Sequence, residues 1–140
     1  MSSSFEKITI EVLVQKPIEL AWRFFNAPAF VTQWNHASDD WHSPRAENDL
    51  RPGGRFNYRM EAKDGSFGFD FEGTYTQVVE PELVAYTIGD GRQVTITFTR
   101  EGDETRVVET FEAETENSLD LQRQGWQAIL DNYKRFAESQ

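Results

Sequence analysis

Residues 118–138 read SLDLQRQGWQAILDNYKRFAE and carry the spacing of a long amphipathic helix. Steps of four and three residues place one set of side chains on a single face. That inward face reads Leu119, Gln122, Trp126, Ile129, Tyr133 and Phe136, flanked by Gly125, Leu130 and Ala137. Ser118 or Asn117 is the expected N-cap. At 1.5 Å per residue, about twenty residues give a helix of about 30 Å, which is long enough to cross a small sheet.

Upstream of this helix, turn sequences separate a series of short strands. The turns are Pro52-Gly53-Gly54, Asp64-Gly65, Glu80-Pro81-Glu82, Asp90-Gly91 and Gly102-Asp103. The segments between them, 55–62, 67–79, 83–88, 92–100 and 105–113, are rich in aromatic and β-branched residues, and a weaker strand is expected near 41–49. Because short turns join antiparallel neighbours, the sheet is predicted to be an antiparallel meander.

The first third of the chain adds one strand and two short helices. Residues 5–14 alternate as a half-buried strand does, Pro17 suits the first turn of a helix, and Phe30, Val31 and Trp34 form a second apolar stripe. The predicted fold is therefore α+β. We expect one domain, 1–140, with the helix-grip fold: a curved antiparallel sheet of about seven strands, in the order β-α-α-β6-α, wrapped around a long C-terminal helix.

Composition excludes several classes of function. The formal net charge of −10 would repel nucleic acid and anionic lipid surfaces. No run approaches the roughly 18 apolar residues of a membrane span, and the first residues do not resemble a signal peptide. Cysteine is absent, which excludes disulfides and thiolate chemistry. We expect a cytoplasmic protein with no nucleic-acid or membrane partner.

Aromatic side chains gather on one side of the predicted sheet. Phe56, Tyr58 and Met60 share one face of their strand because strand residues alternate. Such rings can simply fill the core, or they can line a cavity that a curved sheet and a helix leave open. The expected ligand-binding residues are Phe56, Tyr58, Met60, Phe69, Phe71, Tyr75, Phe111, Trp126, Ile129, Leu130 and Tyr133, with Trp34 and Trp41 near the mouth.

Two polar residues, Glu109 and Gln122, stand where apolar ones are expected. Glu109 lies between Val107 and Phe111, and the weak alternation of that strand allows it to face inward or outward. Inward, its carboxyl group would anchor a ligand or serve as an acid/base with a perturbed pKa. We expect Glu109 and Gln122 to face each other across the cavity and to bind the ligand together.

The segment 34–42 holds both histidines and two aspartates. It has no recognised metal-ligand spacing and no nucleophile elbow, so neither a metal site nor a catalytic triad is expected. A position at the rim of the pocket is predicted for His36, which is the second acid/base candidate. In the long helix, glycine at position 125 makes helix formation about 1 kcal/mol less favourable than alanine would. We expect glycine there because a strand approaches the helix closely at that position.

Several motifs together resemble one known family. They are PIELAW (17–22), Trp34, DLRPGGRF (49–56), GTY (73–75) and QGWQAIL (124–130). The chain resembles the START-like, or SRPBCC, superfamily. Within it the chain is most similar to homologues of the activator of the 90 kDa heat-shock protein's ATPase, the AHSA family. The resemblance implies a cavity used elsewhere for lipids, sterols or polyketides, with no cofactor. It also implies cyclase or hydrolase activity in some branches and a chaperone link with stress response in others.

Three hypotheses follow from the sequence. The first is binding of a small, largely apolar molecule between sheet and helix. The second is an enzyme of the cyclase or hydrolase kind that uses Glu109 or His36 to move a proton. The third is a module that interacts with a chaperone or another protein through the outer face of the sheet and needs no cavity.

Overall fold

The structure, a computed structural model, describes residues 5–140. The expectation of no targeting segment rests partly on residues 1–4, which lie outside the described residues. The elements, in chain order, are β1 (Lys7–Val14), α1 (Ile18–Asn26), α2 (Pro28–Trp34), β2 (Trp41–His42), β3 (Ala46–Asn48), β4 (Arg55–Ala62), β5 (Gly68–Val79), β6 (Leu83–Ile88), β7 (Gln93–Glu101), β8 (Glu104–Glu112) and α3 (Leu119–Glu138).

The strands of residues 5–140 form one antiparallel sheet in the order β1-β8-β7-β6-β5-β4-β2, with β3 paired to β4. Strands β4 to β8 follow one another as a meander because turns join each neighbouring pair. The predicted α+β helix-grip fold is confirmed. The weak strand expected near 41–49 is two short strands, which makes eight in place of about seven.

The core lies between the concave face of the sheet and the helices. Every second residue of β1, from Ile8 to Val14, is buried, as the alternation predicts. Helix α3 packs against β1 and, further along, against α1 and α2. Its buried residues include Leu130, Tyr133 and Ala137, whereas Leu119 is 45% exposed. The prediction that Leu119 belongs to the inward face is therefore wrong, because the first turn of α3 extends beyond the core.

Gly73 and Gly125 differ in whether the structure has room for a side chain at their positions. A Cβ atom at Gly73 in β5 would lie 2.4 Å from the backbone oxygen of Thr87, so the packing of β5 on β6 requires glycine there. A Cβ atom at Gly125 would have no heavy atom within 4 Å. The expected close approach of a strand to Gly125 is wrong. Among residues 5–140, none of the helices is long and apolar enough to span a membrane.

Candidate functional site

A cavity of about 290 Å³ lies between the middle of α3 and the concave face of the sheet. The lining residues are Phe25, Asn26, Trp34, Asn35, Phe56, Tyr58, Met60, Phe69, Phe71, Tyr75, Tyr86, Arg92, Glu109, Trp126, Ile129 and Leu130. Eleven of the sixteen predicted ligand-binding residues are in this lining.

Aromatic rings form most of the cavity wall. Phe56 is at its centre, with ring centroids 4.7 Å from Tyr86 and 5.3 Å from Tyr75. On the helix side, Trp126 stacks on Phe111 with centroids 3.9 Å apart and planes 7° apart. Phe111 is therefore covered by Trp126 and supports the wall from behind, although the sequence places it in the lining.

Glu109 faces inward from β8, directly opposite Ile10 of β1 and Ile96 of β7. It is only 7% exposed and lines the cavity. Among the described residues its carboxyl group has no hydrogen-bond partner, and burial raises its pKa to about 8. Of the two orientations that the sequence allows, the structure has the inward one, and Glu109 is mainly a neutral carboxylic acid at pH 7.

Three tyrosines place their hydroxyl groups around the same space. The Tyr58 hydroxyl accepts a hydrogen bond from Asn48 Nδ2 at 3.1 Å and lies 3.4 Å from the Tyr75 hydroxyl. The Tyr86 hydroxyl has no hydrogen-bond partner among the described residues. Burial raises the pKa of Tyr86 well above its usual value, and the nearby Glu109 raises it further. Tyr86 is therefore a neutral donor throughout the neutral pH range.

The remaining polar side chains of the lining already have partners. Arg92 Nε donates to Asp90 at 2.8 Å, and its Nη1 donates to the Glu112 backbone oxygen at 3.1 Å. Asn35 Nδ2 donates to the Met60 sulfur at 3.3 Å. Asn26 Nδ2 donates to the backbone oxygen of Trp22 at 3.0 Å. Within the described lining, these groups are held in place, and the polar side chains without a partner are Glu109 and Tyr86.

Phe69 is the most exposed residue of the cavity lining, at 44%, and we infer from this exposure that the mouth of the cavity lies at its ring. The centroid of Trp41 is 6.0 Å from those of Phe69 and Phe67, so Trp41 stands beside the mouth without lining the cavity. The prediction that Trp34 lies near the mouth is wrong. It is buried, and its indole N–H donates to the Phe24 backbone oxygen at 2.9 Å.

The predicted pair of Glu109 and Gln122 does not form. Gln122 Oε1 accepts from the backbone N–H of Glu114 at 2.9 Å, and Nε2 donates to the backbone oxygens of Glu114 and Asn117 at 3.0 and 2.9 Å. Gln122 thus holds the loop that leads from β8 into α3. It is buried for that reason and does not line the cavity.

Two other predicted site residues lie outside the lining. Tyr133 is fully buried behind it, and its hydroxyl donates to the Ala21 backbone oxygen at 2.6 Å. His36 follows α2, and burial, followed by the charge of Lys63, lowers its pKa. His36 and Glu109 do not meet in the cavity. Among the described residues, no cluster of three or more histidines and carboxylates is arranged to hold a metal ion.

Sequence reasoning missed five lining residues: Phe25, Asn26, Asn35, Tyr86 and Arg92. Tyr86 could have been found, because it alternates with the buried Val84 and Ile88 along β6. Phe25 belongs to the apolar face of α1. The positions of Asn26, Asn35 and Arg92 depend on where helices and strands end, and no pattern in the sequence indicates that these ends reach the cavity.

Comparisons with known proteins agree with this architecture. A family model described as Activator of Hsp90 ATPase homolog 1-like protein matches residues 15–138. A comparison with curated protein sequences finds no match.

Two similar solved structures cover almost the whole chain. The AHSA1-like protein from Aeromonas hydrophila is 46% identical, with a TM-score of 0.90 over 96% of this chain and 93% of that one. Chr148 from Cytophaga hutchinsonii is 51% identical, with a TM-score of 0.83 over 95% and 92%. NE0264 from Nitrosomonas europaea, at 18% identity and a TM-score of 0.81 over 95% and 94%, shares the fold. The chain belongs to the family of Activator of Hsp90 ATPase homolog 1-like proteins, within the START-like superfamily that its motifs indicate.

Proposed function

We propose that this protein binds a small, largely apolar molecule in the cavity between α3 and the sheet. The observation that carries the proposal is the cavity itself, with rings on its walls and two unpaired polar groups inside. Ligand sites in proteins have this composition: apolar walls give affinity, and a few polar groups give orientation. The cytoplasm remains the proposed setting.

The size of the cavity favours a compact ligand. At about 290 Å³ its volume is just below the range of about 300–1,000 Å³ that is typical of ligand pockets. A ring compound of the polyketide kind therefore fits the proposal better than a long-chain lipid. The mouth at Phe69 gives such a compound a route from solvent.

The test is ligand-induced stabilisation. A ligand that binds only the folded protein adds about 2.7 kcal/mol to the free energy of unfolding when present at a hundred times its dissociation constant. We expect denaturation midpoints to rise with compact aromatic compounds from a panel of lipids, sterols and flavonoids.

A matched pair of variants on β5 locates the binding. Phe71→Ala removes a ring from the cavity wall and should weaken ligand binding. Val79→Ala changes an exposed side chain outside the lining and should leave ligand binding unchanged. Equal affinity in the two variants would place the binding elsewhere. A panel without any stabilising compound would contradict the proposal and favour the interaction module, with a chaperone as the partner to examine.

A second candidate function is acid catalysis by Glu109. A carboxyl group with a pKa of about 8 inside an apolar cavity is poised to transfer a proton near neutral pH. Glu109→Gln would then abolish turnover of a bound compound and leave its binding in place. Turnover that persists in Glu109→Gln would exclude Glu109 as the acid.

A further inference from the structure

Glu109 and Tyr86 reach the cavity from different strands, β8 and β6, and neither has a hydrogen-bond partner among the described residues. An unpaired polar group in an apolar interior costs about 1–3 kcal/mol, so two such groups in one cavity point to a partner that is supplied from outside. The sheet register brings the two residues near each other: Glu109 lies opposite Ile96 of β7, and Tyr86 lies opposite Val94, two residues along the same strand.

The protonation of the two groups decides which partner they fit. A neutral carboxylic acid has one O–H donor, and a phenol has another. The other titratable groups of the lining are Tyr58 and Tyr75, which interact with each other, and Arg92, which is paired with Asp90. The residues opposite Glu109 on β1 and β7 are Ile10 and Ile96, which are apolar. The residues of α3 that line the cavity, Trp126, Ile129 and Leu130, carry no ionisable group. Among the described residues, burial is the one cause that shifts the pKa of Glu109, and it disfavours the charged form.

We propose that Glu109 and Tyr86 together bind the carbonyl oxygen of an apolar ring compound, such as an aromatic ketone, by donating one hydrogen bond each. A carbonyl oxygen has two lone pairs and can accept both bonds at once. This inference rests on the proposed function and adds the chemical class of the ligand. A cationic amine is the opposite class, because it would require the ionised form of Glu109.

The experiment compares three probes with the same two-ring body. They are 2-acetylnaphthalene, which carries a carbonyl group, 2-ethylnaphthalene, which carries none, and 2-(aminomethyl)naphthalene, which is a cation. The two hydrogen bonds should make the ketone bind about tenfold more tightly than the hydrocarbon at pH 6.5, which corresponds to about 1.4 kcal/mol. Titration calorimetry or the displacement of a fluorescent probe measures the ratio.

Variants assign the preference to the two donors. Tyr86→Phe should lower the ketone-to-hydrocarbon ratio severalfold. Tyr133→Phe is the matched control, because its hydroxyl binds Ala21 outside the cavity, and it should keep the ratio. Neither 2-acetylnaphthalene nor 2-ethylnaphthalene has an ionisable group. A fall in their affinity ratio above pH 8 therefore reports the loss of the Glu109 proton. In Glu109→Gln, which cannot ionise, the ratio should not change with pH.

The outcomes separate this inference from the proposed function. Equal binding of ketone and hydrocarbon, or a ratio unaffected by Tyr86→Phe, would overturn the carbonyl assignment and leave apolar binding intact. Preference for the amine that grows with pH would overturn it in favour of a cationic ligand. Failure of all three probes to bind would contradict the inference and the proposed function together.

Discussion

A single carboxyl group defines the chemistry of the cavity. Glu109 stands in a row of apolar residues on β8, beneath α3, and its burial without a partner favours the neutral form. Replacing a glutamate here with a hydrophobic residue would remove a buried polar group that costs stability. The position of this costly group at the wall of a cavity is the observation that links Glu109 to ligand recognition.

The contribution of Glu109 to the stability of the protein should fall as pH rises from about 4.5 to about 8. In this range the folded state keeps the Glu109 proton that the unfolded state has lost, because the pKa is raised from 4.5 to about 8. The folded state therefore binds more protons, and this group lowers the free energy of unfolding by up to about 1.4 kcal/mol per pH unit within the window. Urea denaturation at several pH values measures the slope.

Glu109→Gln should remove this contribution, so the stability of the variant relative to the wild type rises from pH 5 to pH 8. Glu47→Gln removes one carboxylate from an exposed position of β3 and serves as the control. Parallel pH profiles for Glu109→Gln and the wild type would show that Glu109 ionises normally in the folded protein.

The stacked pair of Phe111 and Trp126 should respond unequally to truncation. Phe111 is fully buried, so Phe111→Ala is expected to cost about 3–5 kcal/mol. Trp126 is only partly buried and faces the cavity, so Trp126→Ala should cost less. Chemical denaturation of both variants tests the order, and a larger loss for Trp126→Ala would mean that the helix face is packed more tightly than described.

At the scale of elements, α3 has two parts with different supports. Its C-terminal half packs into the core through Leu130, Tyr133 and Ala137. Its first turns depend on local hydrogen bonds: the Ser118 hydroxyl accepts from the backbone N–H of Leu121 at 3.1 Å, and Gln122 holds the preceding loop. The cavity lies against the middle of the helix, between the packed half and the capped half.

Gly125→Ala should stabilise the protein by up to about 1 kcal/mol, because alanine is the better helix former and its Cβ atom would meet open space. Gly73→Ala is the contrasting variant. Its Cβ atom would clash with the Thr87 backbone oxygen, so it should destabilise the protein clearly. Thermal melting shows whether each variant is more or less stable than the wild type. Destabilisation by Gly125→Ala would indicate that a close contact exists at that position.

The elements were predictable because their signals are local. The strands 55–62 and 83–88 match β4 and β6 residue for residue, since turn residues bound them on both sides. How deeply each residue along an element is buried was not predictable. Periodicity shows which face of α3 points inward, but it does not show that Leu119 lies beyond the sheet or that Gln122 meets a loop.

On the scale of the whole molecule, the cavity is made by residues from most parts of the chain. The ring-bearing wall followed from strand alternation, which placed Phe56, Tyr58 and Met60 together. Arg92 and Asn35 enter it from segments next to β7 and α2, and Trp34 lies deep instead of at the mouth. Such placements depend on how the elements dock in three dimensions, which the one-dimensional pattern does not record.

An apolar cavity of about 290 Å³ is also empty volume, and unfolding eliminates empty volume. Hydrostatic pressure should therefore unfold this protein more readily than a solidly packed domain of equal size. A bound ring compound fills the void, so it should flatten the dependence of the unfolding free energy on pressure, in addition to raising the free energy itself. Pressure denaturation followed by tryptophan fluorescence, with and without 2-acetylnaphthalene, measures that slope, and an unchanged slope would mean that water already occupies the space.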